Sequence, residues 1–103
     1  MIELQGKEAY VDFTQQEGKN AIEIYSPQCG PCKVLKQQVL PEVENEVHVA
    51  TVDGTKYFDV LDEVKKDSGE IVTGVPVLML YSNGSFVKRI NGLTDKENIL
   101  NSF

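Results

Sequence analysis

Tryptophan is absent from this chain, histidine occurs once, and cysteine is confined to one pair. With His48 the lone imidazole and no thiol beyond Cys29 and Cys32, a closed zinc site would have to recruit carboxylates or a second subunit. No metal is therefore expected, and His48 is taken as an ordinary residue opening a strand. Excess positive charge is missing too: the formal net charge is -6 with Lys and Arg scattered, which argues against nucleic acid as a partner. Long apolar runs are lacking, and the opening Met1-Ile2-Glu3-Leu4-Gln5-Gly6-Lys7-Glu8 has no basic start. A secretory signal or membrane anchor is thus not expected, and the protein is assigned to the reducing cytoplasm. No internal repeat, low-complexity tract or long linker interrupts the 103 residues. A single domain over 1–103, with one core and no need of cross-links, is expected as a monomer.

What the chain does have is Cys29-Gly30-Pro31-Cys32, placed directly after an apolar stretch and at the start of a helical pattern. Two intervening residues let the sulfurs close a small ring, so either thiol can attack a mixed disulfide formed by the other. As a staple the pair would contribute little, about 2 kcal/mol for so short a loop. Its value is chemical. Gly30 leaves the first sulfur unshielded, and Pro31 supplies a helical φ where an amide would lack a partner anyway. Unpaired amides and the positive end of the helix dipole favour thiolate, lowering a cysteine pKa from its usual value of about 8.5. Cys29 is accordingly the exposed nucleophile, and Cys32, one turn later and facing inward, the resolving thiol. Such a pair can also be half of a zinc site, and here the other half is missing.

Around this motif strand and helix patterns alternate. Ile2 to Leu4 is a short strand, followed by a helix from Lys7 to Glu17 that places Ala9, Tyr10 and Phe13 on one face and ends at Gly18. Ala21 to Tyr25 is a second strand, and Ser26-Pro27-Gln28 the loop that delivers Cys29. Helical spacing then aligns Cys32, Leu35, Val39 and Val43, with Pro41 expected to kink or restart the helix near Val39. Val47 to Val52 is a third strand closed by Asp53-Gly54. From Tyr57 to Lys66 the residues Phe58, Leu61 and Val64 recur at helical intervals, Asp62 and Lys66 are available as an i,i+4 pair, and Ser68-Gly69 ends the run. Val77 to Tyr81 is apolar throughout, as in a strand covered on both faces, and joins Phe86 to Ile90 through an Asn83-Gly84 hairpin turn. Thr94 is expected to cap a last helix reaching Ser102, with Glu97 completing a capping box. The order βαβαβαββα predicts an α/β fold with a mixed central sheet flanked by helices on both faces.

Along almost its whole length the chain resembles the thioredoxin family. The resemblance rests on Cys29-Gly30-Pro31-Cys32-Lys33 after its strand and loop, on Thr73-Gly74-Val75-Pro76-Val77, on the Asn83-Gly84 hairpin, and on Gly92 before the final helix. It implies a thioredoxin fold in which Pro76 is a cis-proline beside the sulfurs and the backbone of Val75 binds substrate chain, with Gly30, Pro31, Gly74 and Gly92 completing that surface. Without the resemblance, Pro76 is simply a proline at the first position of a strand, where its missing N–H is tolerated. Glu23, between Ile22 and Ile24, occupies the position of the family's buried aspartate. A carboxyl group held there would have its charged form disfavoured and could accept the proton of Cys32. The competing reading is a glutamate on a solvated strand face. Three departures concern the surroundings: Tyr25 and Gln28 stand where the family typically has tryptophans, Asp53 to Pro76 is longer than usual, and Pro41 falls later in its helix. Lys33 follows the motif as it often does in the family, either favouring thiolate or lying exposed without a role.

The implied activity is reduction of protein disulfides by dithiol–disulfide exchange, without a bound cofactor, on disulfide-containing protein substrates and with a thioredoxin-reductase-like electron donor. Two other functions stay open at this point. A glutaredoxin-like reductase using glutathione would share the Val-Pro turn and a glycine-containing loop such as Asn91-Gly92-Leu93-Thr94-Asp95, though Gly-Pro within the motif and the extra N-terminal strand and helix speak against it. A redox-independent accessory subunit would use the fold as a scaffold.

Overall fold

In the computed structural model, which describes residues 1–103, five strands line up in the order β1-β3-β2-β4-β5. They are β1 (Ile2–Leu4), β2 (Lys19–Tyr25), β3 (His48–Asp53), β4 (Val77–Ser82) and β5 (Ser85–Asn91). The β1–β3 and β2–β3 pairs are parallel, whereas β2–β4 and β4–β5 are antiparallel, so the sheet is mixed. Helices α1 (Lys7–Thr14) and α4 (Phe58–Ser68) cover one face. The other is covered by α2 (Gly30–Val34), a π-helical turn (Leu35–Val39), α3 (Leu40–Val43) and α5 (Lys96–Leu100). The expected α/β architecture and element order are therefore present.

Strand period decides what each layer receives. Ile22 and Ile24 of β2 point into the core formed with Tyr10, Phe13, Val60 and Val64. Ala21 points the other way, into the core of Leu35, Leu40, Val43 and Ile99, and Glu23 shares its side. Since β2 is covered on both faces it is almost wholly buried, and β4 is buried from Val77 through Tyr81 for the same reason. Pro41 acts as expected. It offers no N–H to the preceding turn, and the chain responds with a π-helical turn in which Leu40 N–H bonds Leu35 O, five residues back. Asn83 (φ 50) and Gly84 (φ 86) both have positive φ, as a two-residue hairpin turn following the sheet twist requires.

Four expectations need correction. Helix α1 ends at Thr14 instead of Glu17, because Gln15, Gln16 and Glu17 offer no apolar side chain to dock; Gly18 (φ 86) instead turns the chain into β2. On α4 the inward pair is Val60 and Val64, while Phe58, about 200° around the helix from Val60, is 71% exposed. Asp62 and Lys66 do not pair; the α4 ion pair is Lys7 with Glu63, at 3.5 Å, which ties α1 to α4. Helix α5 is capped by Asp95, whose carboxylate accepts from Asn98 N at 2.8 Å, while Thr94 Oγ1 accepts from the Asn98 side chain. Aspartate is the stronger cap and shifts the start by one residue, so Glu97 is no longer at the third helical position and the capping box does not form.

Candidate active site

Strand β2 ends at Tyr25, and the following loop is closed by Cys29 N–H donating to Ser26 O at 3.2 Å. Cys29 is then the N-cap of α2, extended at φ -89 and ψ 113, and its Sγ accepts the N–H of Cys32 at 3.2 Å. Pro31 lies in the first turn, where no amide is wanted. Cys29 and Cys32 are joined in a disulfide, with Cα atoms 5.3 Å apart. The two sulfurs have unequal access: Cys32 is only 2% exposed, whereas Cys29 is half-buried. Lys33 is exposed on the outer side of the helix.

Against Cys29 stands the loop before β4. The Val75–Pro76 peptide is cis, Pro76 is buried, and Val75 O lies 3.6 Å from Cys29 Sγ. The disulfide sulfur carries no hydrogen, so this is a contact; a thiol at the same place could donate to that carbonyl. Pro76 O accepts the N–H of Gly92 at 2.8 Å, which fastens the turn after β5 to the same edge. Between these segments runs a cleft of about 380 Å³, lined by Thr73, Gly74, Val75, Pro76, Asn91 and Gly92 among others. Gly74 and Gly92 border open space, with no atom within 4 Å of where a Cβ would project. Gly30 is likewise open and exposed beside the first sulfur.

Glu23 is fully buried, and neither carboxylate oxygen has a hydrogen-bond partner. The solvated-face reading is therefore wrong for this residue. Burial pushes its pKa up to about 8, with the nearby Lys36 charge pulling it down and the Glu3 carboxylate pushing it up. Its side of β2 is that of Leu35, so it lies beneath the helical segment that begins with the two sulfurs. Three neighbours, Glu3, Thr51 and Lys36, are not marked by any motif in the sequence. Tyr25 donates to Glu3 Oε2 at 2.8 Å, Thr51 donates to Glu3 Oε1 at 2.6 Å, and Lys36 Nζ sits 5.6 Å from the centre of the Tyr25 ring. Lys36 and Tyr25 also line, with Cys32, a small cavity of about 260 Å³. The signal for Glu3 was present in the alternation with Leu4, but the β1–β3–β2 strand order that brings it near Glu23 was not legible. No three His, Cys, Asp or Glu side chains gather closely enough to hold a metal ion, and His48 opens β3 with its side chain exposed.

An α/β domain that presents one sulfur at a helix start, buries its partner, and sets a cis-proline loop against them defines a thiol–disulfide exchange protein. The chain belongs to the thioredoxin family, whose model, described as Thioredoxin, matches residues 2–103. A thioredoxin of Chlamydia caviae is 33% identical over 79 residues, covering 77% of this chain and 74% of that protein. One of Chlamydia trachomatis is 27% identical over 100 residues, covering 97% and 93%. Among solved structures, oxidised mitochondrial thioredoxin 3 of Saccharomyces cerevisiae superposes with a TM-score of 0.80 at 21% identity, over 99% of this chain and 92% of that one. The protein is a thiol–disulfide oxidoreductase with protein-disulfide reductase activity. The relatives do not favour the glutathione-dependent or scaffold alternatives. No helix is long and apolar enough to cross a membrane.

Proposed function

We propose that Cys29 is the nucleophile and Cys32 the resolving thiol of a cytoplasmic, monomeric reductase of protein disulfides. The observation that carries this assignment is the unequal burial of two sulfurs at one helix start. Cys29 thiolate attacks one sulfur of a substrate disulfide; a mixed disulfide forms and the other substrate sulfur leaves as thiolate. Cys32 then loses its proton to the Glu23 carboxylate and attacks Cys29 Sγ, releasing the second substrate thiolate. Two electrons have passed to the substrate, and the protein holds the Cys29–Cys32 disulfide seen in this structure. Regeneration reverses the roles: one thiolate of a thioredoxin-reductase-like dithiol donor attacks Cys29, Cys32 leaves and takes its proton from neutral Glu23, and the donor's second thiolate attacks the mixed disulfide, releasing Cys29 and leaving the donor as a disulfide. A pKa near 8 suits both directions, because the acid and base forms are each within reach at neutral pH.

Substrate chain docks along Gly74, Val75 and Pro76, with Gly30, Pro31 and Gly92 framing the approach to Cys29. Support comes from the open glycine positions and from the Val75 carbonyl lying against the sulfur. The test is trapping. Cys32→Ser should accumulate a mixed disulfide with a protein substrate, whereas Cys29→Ser should form none. A stable adduct through Cys32 in the Cys29→Ser protein would overturn the assignment.

A further inference from the structure

Arg89 of β5 donates four hydrogen bonds: Nε to Asn91 Oδ1 at 2.8 Å, Nη1 to Glu70 O at 2.6 Å and Ser68 Oγ at 3.1 Å, and Nη2 to Ile71 O at 2.9 Å. One of these holds Ser68, the last residue of α4, and two hold the segment that follows and runs without regular structure into Gly74, Val75 and Pro76. Glu70 is exposed and Ile71 is 59% exposed, so the other ties of this segment are a long Glu70 N–H bond to Ser68 Oγ at 3.4 Å and the side chains of Val72 and Val75 against the core. The fourth reaches the opposite side of the 380 Å³ cleft, where Asn91 precedes the glycine bonded to Pro76 O. One guanidinium thus spans both walls. A planar fork can serve carbonyls on one side and an amide oxygen on the other in a way that a lysine ammonium cannot.

We propose that Arg89 is a positioning residue that holds the walls of this cleft at the spacing required by a substrate polypeptide, and so makes the protein select disulfides embedded in a chain over small disulfides. The proposal rests on the reading that the Gly74–Pro76 edge binds substrate chain. It gives the long segment between Asp53 and Pro76 a function: the extra length needs a clamp, and the clamp sets specificity. A small disulfide needs only the Cys29 sulfur and does not meet the clamped wall.

The test uses the pre-reduced protein in single-turnover reactions with a protein disulfide and with a small aromatic disulfide. Arg89→Ala should raise the half-saturating concentration of the protein disulfide about tenfold, because docking must then order the freed segment. Its limiting rate should fall by less than about twofold, a split that separates positioning from chemistry. Arg89→Lys should fall between parent and Arg89→Ala, and it carries the test should Arg89→Ala fail to fold. Equal losses with both substrates, or an unchanged half-saturating concentration for the protein disulfide, would overturn the proposal. Gly74→Leu separates the two ways of failing. If it weakens protein docking and the Arg89 variants do not, only the role of Arg89 falls; if neither does, the docking edge itself falls and the proposal with it.

Discussion

Glu3 and Glu23 stand on either side of Thr51 across three neighbouring strands, and the two carboxyl groups fare differently. Glu3 accepts hydrogen bonds from Thr51 and Tyr25, whereas Glu23 is buried with both oxygens unpartnered. A carboxyl in that position is stable when neutral. Only the nearby Lys36 charge favours ionisation, against burial and Glu3.

The first expected outcome concerns rate. Glu23→Gln cannot take a proton, so release of the second substrate thiol should slow by about a hundredfold or more, within the range of positioned general bases. The first attack by Cys29 should change little. Quenched-flow trapping of the mixed disulfide checks both steps, and resolution at the parental rate would remove Glu23 from the mechanism.

Stability should depend on pH through the same group. Glu23 has a folded pKa of about 8 against an ordinary value of 4.5, so the folded protein binds more protons than the unfolded chain between these limits. Its contribution is fully present below about pH 4.5 and is lost as pH rises through about 8. The loss is on the order of a few kcal/mol. Chemical denaturation of the oxidised protein at pH 5 and pH 8 should show it, and Glu23→Gln should flatten the dependence; an equally steep profile in the variant would rule the assignment out.

Tyr81→Phe should destabilise the protein by about 1–3 kcal/mol, the cost of orphaning a buried polar group. The Tyr81 hydroxyl lies 2.8 Å from the Tyr10 hydroxyl and donates to Asp67 at 2.7 Å, so its removal strips a partner from the fully buried Tyr10. Urea midpoints provide the measurement. Double replacement with Tyr10→Phe should recover part of the loss.

At Gly54, a Cβ would meet Ile24 Cγ2 at 2.9 Å and Leu61 Cδ2 at 3.2 Å. Gly54→Ala should therefore cost about 1–3 kcal/mol through overpacking. Thermal unfolding of the variant beside Gly84→Ala separates crowding from conformation: Gly84 has φ 86 and its contact is the flexible end of Gln15. A neutral Gly54→Ala would mean that Ile24 of β2 and Leu61 of α4 can yield to the added methyl group.

Local order was readable wherever neighbouring residues impose it. Strand β1 and the Asn83-Gly84 turn stand where alternation and turn chemistry placed them, and Pro41 broke the helix near Val39 because a missing N–H acts within one turn. Element ends were less legible. Asp95 displaced Thr94 as a cap because adjacent residues can both cap, and Phe58 stayed outside because periodicity admits more than one inward stripe.

The redox pair is written into four consecutive residues: two thiols, a glycine and a proline at a helix start need no distant partner to close a disulfide. Which groups lie around that pair was decided by packing. Val75 against Cys29 and Arg89 against Glu70 join residues far apart in the chain, and the burial of Glu23 and the place of Lys36 over Tyr25 follow from how the helix packs on the sheet. Burial and strand order are properties of the assembled sheet, and no local pattern specifies which neighbour a carboxylate or a guanidinium will meet.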